Sequence, residues 1–321
     1  MRFVLFLCGL TLFVPTFFVH AQISNSITGA AVSIALDPQF PNPGEPVTAS
    51  IDDYSINSTG ATISWFFEGH ELPAMRNKRS ITVPSDKNGA DGKISAQLSF
   101  SDRPALQAEA IIHPIYLDVI VEPQTYTPIF YAGRALPVYG STVNLTALMQ
   151  LGTGMINPQN NTYTWELNGT VLYGGPQRGT NRAQITIPYG LSNTLIVSVQ
   201  NSNGITIGRR LINIPSVPVE LHFYEESALY GLNSRAIGQT LHVINNSTIR
   251  AVPYYLSTEA LANNTLQDEW SIDGQTEPSD SSNPFSISLQ SKGAGSAHIG
   301  FKFRNLNQLI QGDEKSFTAT F

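Results

Sequence analysis

The three tryptophans of this chain stand 100 and 105 residues apart, each inside the same short pattern. The patterns are Thr62-Ile-Ser-Trp65-Phe-Phe-Glu-Gly69, Thr162-Tyr-Thr-Trp165-Glu-Leu-Asn-Gly169 and Asp268-Glu-Trp270-Ser-Ile-Asp-Gly274. Apolar and polar residues alternate, which spells a strand with one buried face, and the glycine four residues past Trp marks the turn that follows. Upstream, residues 43–51, 140–147 and 246–252 form a second matched strand after a turn. Downstream, 108–112, 210–215 and 315–321 close each unit, about 45 to 50 residues beyond the Trp. A self-similar unit of this length, built from short strands, predicts an all-β chain of three tandem immunoglobulin-like sandwiches. No window carries a helical apolar stripe free of Gly and Pro, although 257–262 and 263–268 have room for one helical turn. Trp65, Trp165 and Trp270 are the expected core anchors, because an indole on the central strand buries the most area under the facing sheet.

Residues 1–21 read as a secretory leader. Arg2 precedes an apolar run, and Val19-His20-Ala21 has the small-x-small character of a cleavage site, leaving Gln22 first. The run 3–19 is nearly long enough to span a bilayer, so an uncleaved anchor is the rival reading. Pro15 and the cleavage signature favour removal. Leu5-Phe6-Leu7 ahead of Cys8 lacks the small residues of a lipoprotein signal. The expected division is therefore 1–21 leader, 22–115 first domain, 116–217 second and 218–321 third. The links around His113-Pro114 and Ile214-Pro-Ser-Val-Pro218 are short and proline-bearing, which predicts stiff joints and a rod-like molecule.

Composition excludes several functions. The only cysteine is Cys8, so an exported mature chain has neither disulfides nor thiol or cysteine-metal chemistry. A net charge of −6 is no profile for nucleic acid, which demands a basic face. No segment after the leader is long and apolar enough to suggest a membrane helix. There is no Gly-x-Ser-x-Gly elbow and no His-Glu-x-x-His. His70, His113, His222, His242 and His298 are scattered singly. Asp52-Asp53 and Glu225-Glu226 are neighbours on strands, where adjacent side chains face opposite ways. No catalytic residue, cofactor or metal site is expected. Asp86-Lys-Asn-Gly-Ala-Asp91-Gly92 has the flavour of a calcium loop but is one residue out of the ligand spacing, so it reads first as a turn and second as a weak calcium site.

The most unusual stretch is Thr125-Tyr-Thr-Pro-Ile-Phe-Tyr-Ala-Gly-Arg-Ala-Leu-Pro-Val-Tyr139, echoed near the start of the third domain. Both copies place aromatics ahead of Arg-Ala-aliphatic: Tyr126, Phe130, Tyr131 and Arg134 in one, Tyr230 and Arg235 in the other. Aromatics with Arg on a loop have the composition of a binding hot spot. The alternative is a joint, the loop folding back on the preceding domain.

On Ala61-Thr-Ile-Ser-Trp65-Phe-Phe-Glu-Gly69, Tyr126-Thr-Pro-Ile-Phe-Tyr-Ala-Gly-Arg-Ala-Leu-Pro137 and Tyr163-Thr-Trp165-Glu-Leu-Asn-Gly169, the chain resembles exported immunoglobulin-like or PKD-like repeat proteins of candidate-phyla (Patescibacteria) bacteria. The resemblance implies a bacterial envelope or surface location and brings no active-site residues with it. The expected function is a non-catalytic, adhesion-type surface protein with a protein or surface partner. A structural spacer in an envelope or pilus-type assembly is the second reading, and a glycan-binding accessory module the third.

Overall fold

The computed structural model describes residues 32–53, 58–151, 154–278 and 283–321. The leader lies outside them. No helix among the described residues is long and apolar enough to cross a membrane.

The strand plan recurs three times. Each repeat has six principal strands; the first, second and fourth form one sheet, while the third, fifth and sixth form the other. In the first repeat these are Ser33–Asp37, Pro46–Asp52 and Ser80–Pro84 against Thr62–Phe67, Gly92–Ser99 and Leu106–Ile112. In the second they are Tyr116–Pro123, Thr142–Leu151 and Arg182–Thr186 against Thr162–Leu167, Ser192–Gln200 and Thr206–Pro215. In the third they are Glu220–Ser227, Asn246–Tyr254 and Ser286–Gln290 against Leu266–Ile272, Ser296–Asn305 and Gln308–Thr320. This exchange of strands between two sheets, whose principal strands all pair antiparallel, is the immunoglobulin-like sandwich. Two- and three-residue strands fringe the sheets, and Thr258–Ala262 forms the short helix for which the sequence left room.

Alternation decides which residues go inside. Val47, Ala49 and Ile51 on one sheet meet Ile94, Ala96 and Leu98 on the other around Trp65. Trp165 and Trp270 centre two further cores, and all three indoles are at most 1% exposed. A buried indole N–H needs an acceptor, and the same one recurs: a main-chain carbonyl 13 to 15 residues later. Trp65 donates to Lys78 O at 2.8 Å, Trp165 to Thr180 O at 3.2 Å and Trp270 to Pro284 O at 3.0 Å.

The chain forms two compact units. The first holds the Trp65 sandwich. The second runs from His113 to Phe321, holds the Trp165 and Trp270 sandwiches, and includes segments 40–45 and 85–90. Within it, the link between the two sandwiches is held by hydrogen bonds as well as prolines. Ser216 N–H donates to Leu191 O and Val217 N–H to Pro137 O, both at 3.0 Å, and Val219 is already in the third core.

Candidate functional site

The aromatic loop of the second sandwich joins that sandwich to the third. After Tyr116–Pro123 the chain leaves its own sheet and lies against the third sandwich before returning at Thr142. Thr125 bridges Ser257. Tyr126 N–H donates to Leu256 O at 2.8 Å, Tyr255 N–H to Tyr126 O at 2.7 Å, and Thr258 N–H to Gln124 O at 3.1 Å. Val138 is buried in the Trp270 core. On the way back, the fully buried Gln311 donates from Nε2 to Tyr139 O at 2.8 Å, and Gly140 N–H donates to Ile187 O at 2.9 Å.

Local sequence sets this course. Pro128 offers no N–H to a ladder, and its carbonyl accepts the Tyr131 N–H at 2.9 Å, turning the chain. Gly133 leaves space for the Tyr131 side chain, because a Cβ there would stand 2.4 Å from its Cζ. Tyr131 then meets Tyr254 edge-on at 5.2 Å and Tyr255 at 6.3 Å, its hydroxyl 2.7 Å from that of Tyr255. Phe130 packs edge-on to Tyr224 at 5.2 Å, and the hydroxyls of Tyr224 and Tyr254 are 2.5 Å apart. Burial, reinforced by these hydroxyl partners, pushes the phenol pKa values of Tyr254 and Tyr255 well above the usual tyrosine value.

Tyr126, Phe130 and Tyr131 lie against the third sandwich, whereas the expected joint is with the preceding domain. The loop grips the following sandwich rather than folding back on the preceding one. The reason lies in the third sandwich. Phe223 points into its core while Tyr224 points out, and residues 251–257 are buried without a break. A strand apolar on both faces needs a second cover, and Phe130, Tyr131 and Leu136 supply it. The run Ala251-Val-Pro-Tyr-Tyr-Leu256 is the sequence signal that reveals this need.

Arg134, Tyr230 and Arg235 are outside the joint. Arg134 and Arg235 are exposed, with no ion pair among the described residues. Tyr230 is 88% exposed and Leu229 beside it 87%. Their turn is nonetheless well defined: Ser227 Oγ accepts the N–H groups of Leu229 and Tyr230 at 3.3 and 3.4 Å. Gly231 at φ +72° reverses the chain, and Gly231–Leu232 pairs back with Glu226 and Ser227. Asn233 Oδ1 accepts Arg235 N–H at 3.0 Å, and Leu232 anchors the turn on the tyrosine cluster. Beside the turn runs an open groove lined by Glu225, Glu226, Asn246, Ser247 and Thr248. Glu226 accepts two bonds from Arg250, at 2.6 and 3.0 Å, which hold its carboxyl below the usual glutamate range, while Glu225 accepts from Ser247 at 3.2 Å.

Among the described residues no three His, Cys, Asp or Glu side chains gather as metal ligands. Asp86, at the head of the candidate calcium loop, spends Oδ1 on the N–H groups of Asn88 and Ala90, at 2.7 and 3.1 Å, as a turn carboxylate does.

No family model and no curated protein matches the chain. Among solved structures it is similar to the three N-terminal domains of the bacteriophage RB49 highly immunogenic outer capsid protein, at 13% identity and a TM-score of 0.25, covering 90% of this chain and 95% of that one. It is similar to a Bacteroides ovatus mixed-linkage glucan utilization locus protein, SGBP-B, in complex with a heptasaccharide, at 14% identity and a TM-score of 0.23, covering 94% and 69%. Immunoglobulin domains 1–4 of Sidekick-1 align at 11% identity and a TM-score of 0.20, covering 88% and 70%.

Proposed function

We propose that this chain is an exported, non-catalytic interaction protein of a bacterial cell surface or envelope, adhesion-type in mode. The leader at 1–21 and the resemblance carried by the Trp65, Tyr126 and Trp165 motifs support the address. The observation that carries the interaction reading is the turn at Leu229-Tyr230. Two large apolar side chains are held almost fully exposed in a turn fixed by Ser227, which Leu232 ties to the tyrosine cluster. Ordering such a loop in advance lowers the cost of binding, and exposed aromatics next to Arg are favoured contact residues. The braced pair of sandwiches also supports the second reading, a spacer within a larger assembly.

Crosslinking with mass spectrometry on the cells that make the protein tests the proposal. Recurrent links from the third sandwich to surface or envelope components are expected. Links confined to soluble cytoplasmic proteins would overturn it.

A further inference from the structure

The two aromatic loops occupy the same place in their sandwiches, between the first and second strands. Tyr126 stands four residues beyond Glu122, and Tyr230 four residues beyond Glu226, with Arg-Ala-aliphatic following in both. One loop is used: Phe130 and Tyr131 lie on the outer face of the next sandwich, over Tyr224, Tyr254 and Tyr255. The other has Leu229 and Tyr230 uncovered among the described residues.

Strand register locates a matching face elsewhere in the chain. In the third sandwich Glu220 pairs with Tyr254, and Tyr224 with Arg250. In the second, Tyr116 pairs with Gln150, and Ile120 with Thr146. Ile120 therefore occupies on the second sandwich the outward position that Tyr224 occupies on the third. It is 43% exposed and Tyr116 41%, with Asp118 between them. Asp118 accepts the Tyr116 hydroxyl at 3.2 Å, which fixes a carboxylate in the middle of this apolar strip. The exposed Arg235 lies five residues beyond Tyr230 and carries the opposite charge.

We propose that Leu229 and Tyr230 of one copy dock on Tyr116 and Ile120 of a second copy, with Arg235 facing Asp118. The inference rests on reading the Leu229-Tyr230 turn as a contact element, and it names the partner as the chain itself. Donor loop and acceptor face are different surfaces, so copies meet either head-to-tail, in a contact that propagates, or as a reciprocal pair with each loop seated on the other's face. A contact of one loop on one strip is small, so the association it supports is weak.

Sedimentation velocity on the mature chain from 1 to about 100 μM tests this, with circular dichroism melting as the folding control. The wild type is expected to show a sedimentation coefficient that rises with concentration. Tyr230→Ala, without a donor, and Ile120→Glu, without an acceptor, are each expected to remain monomeric. Their equimolar mixture is expected to form a one-to-one complex and stop there, since each partner retains one intact half. Should Ile120→Glu melt early, Asp118→Lys takes its place, and Arg235→Glu in the donor should restore binding. A wild type monomeric throughout would overturn the proposal, as would oligomers surviving in both variants, or a mixture that stays monomeric. If the chain stays monomeric while Tyr230→Ala still loses attachment to cells, self-association fails and the interaction reading stands. If Tyr230→Ala changes neither, both fall.

Discussion

Replacing Tyr131 by Ala removes the centre of the joint, and the loss can be assembled from its contacts. Its ring makes edge-on contacts with Tyr254 and Tyr255, together worth about 1–2 kcal/mol. Its hydroxyl meets that of Tyr255 at 2.7 Å, worth about 1 kcal/mol. The half-buried ring adds about 1 kcal/mol from apolar area. The total is about 3–4 kcal/mol, carried by a two-sandwich unit of roughly 200 residues. For a block of that size each kcal/mol moves Tm by about 2–4 °C, so a fall of about 6–15 °C in the transition that opens the joint is expected by differential scanning calorimetry. Tyr131→Phe keeps the ring contacts and isolates the hydroxyl, costing about 1 kcal/mol. A double-mutant cycle with Tyr255→Phe should show that the two hydroxyls are coupled. Arg134→Ala, three residues beyond Tyr131 but exposed, should stay within about 0.5 kcal/mol of wild type. A Tyr131→Ala melt within 1 °C of wild type would refute the joint.

Other consequences are as direct. Trp165→Ala leaves a void where the indole packed and strips Thr180 O of its donor, costing about 3–5 kcal/mol in chemical denaturation of the second unit. Gly140→Ala puts a Cβ at a φ of +74°, while the Gln308 side-chain end it would meet at 2.7 Å can swing aside; chemical denaturation should show a loss of about 1–2 kcal/mol from backbone strain. Tyr254 and Tyr255 have folded pKa values raised above the unfolded value near 10. Their contribution is therefore complete below about pH 10 and lost as pH rises further, so Tm should begin an alkaline fall there that Tyr255→Phe lessens. Glu226 is shifted the other way, by the Arg250 hydrogen bonds first. Its contribution is present above the unfolded glutamate value and lost as pH falls through the folded one, and Glu226→Gln should flatten that acid limb of the melting curve.

The sandwiches are legible in the sequence because a strand with one wet face must alternate, and the Trp pattern repeats that alternation three times. The tryptophan spacing also marks the third strand of every repeat. The joint is half legible. Composition singles out Tyr126, Phe130 and Tyr131, since three aromatics in six residues of loop require a cover. What covers them depends on Tyr224, Tyr254 and Tyr255, more than ninety residues away; the register of Glu220–Ser227 with Asn246–Tyr254 brings the first two to one outer face, and Tyr255 joins them just past the strand at a φ of +64°. The sequence echo at Tyr230 and Arg235 misleads if read as a second joint of the same kind, for the same pattern stands exposed there. Burial is a property of the surroundings, and two similar loops with different neighbours fulfil different roles.

The contact role of the exposed turn is tested most directly by one titration of the fluorescent chain onto the cells that make it, comparing wild type, Tyr230→Ala and Tyr131→Phe. Attachment is expected to be at least about tenfold weaker for Tyr230→Ala, a loss of about 1.4 kcal/mol, with its melting temperature unchanged. Tyr131→Phe should melt lower yet attach as wild type does below its transition. Tyr230→Ala attaching as tightly as wild type would contradict the assignment of the exposed turn as the contact element.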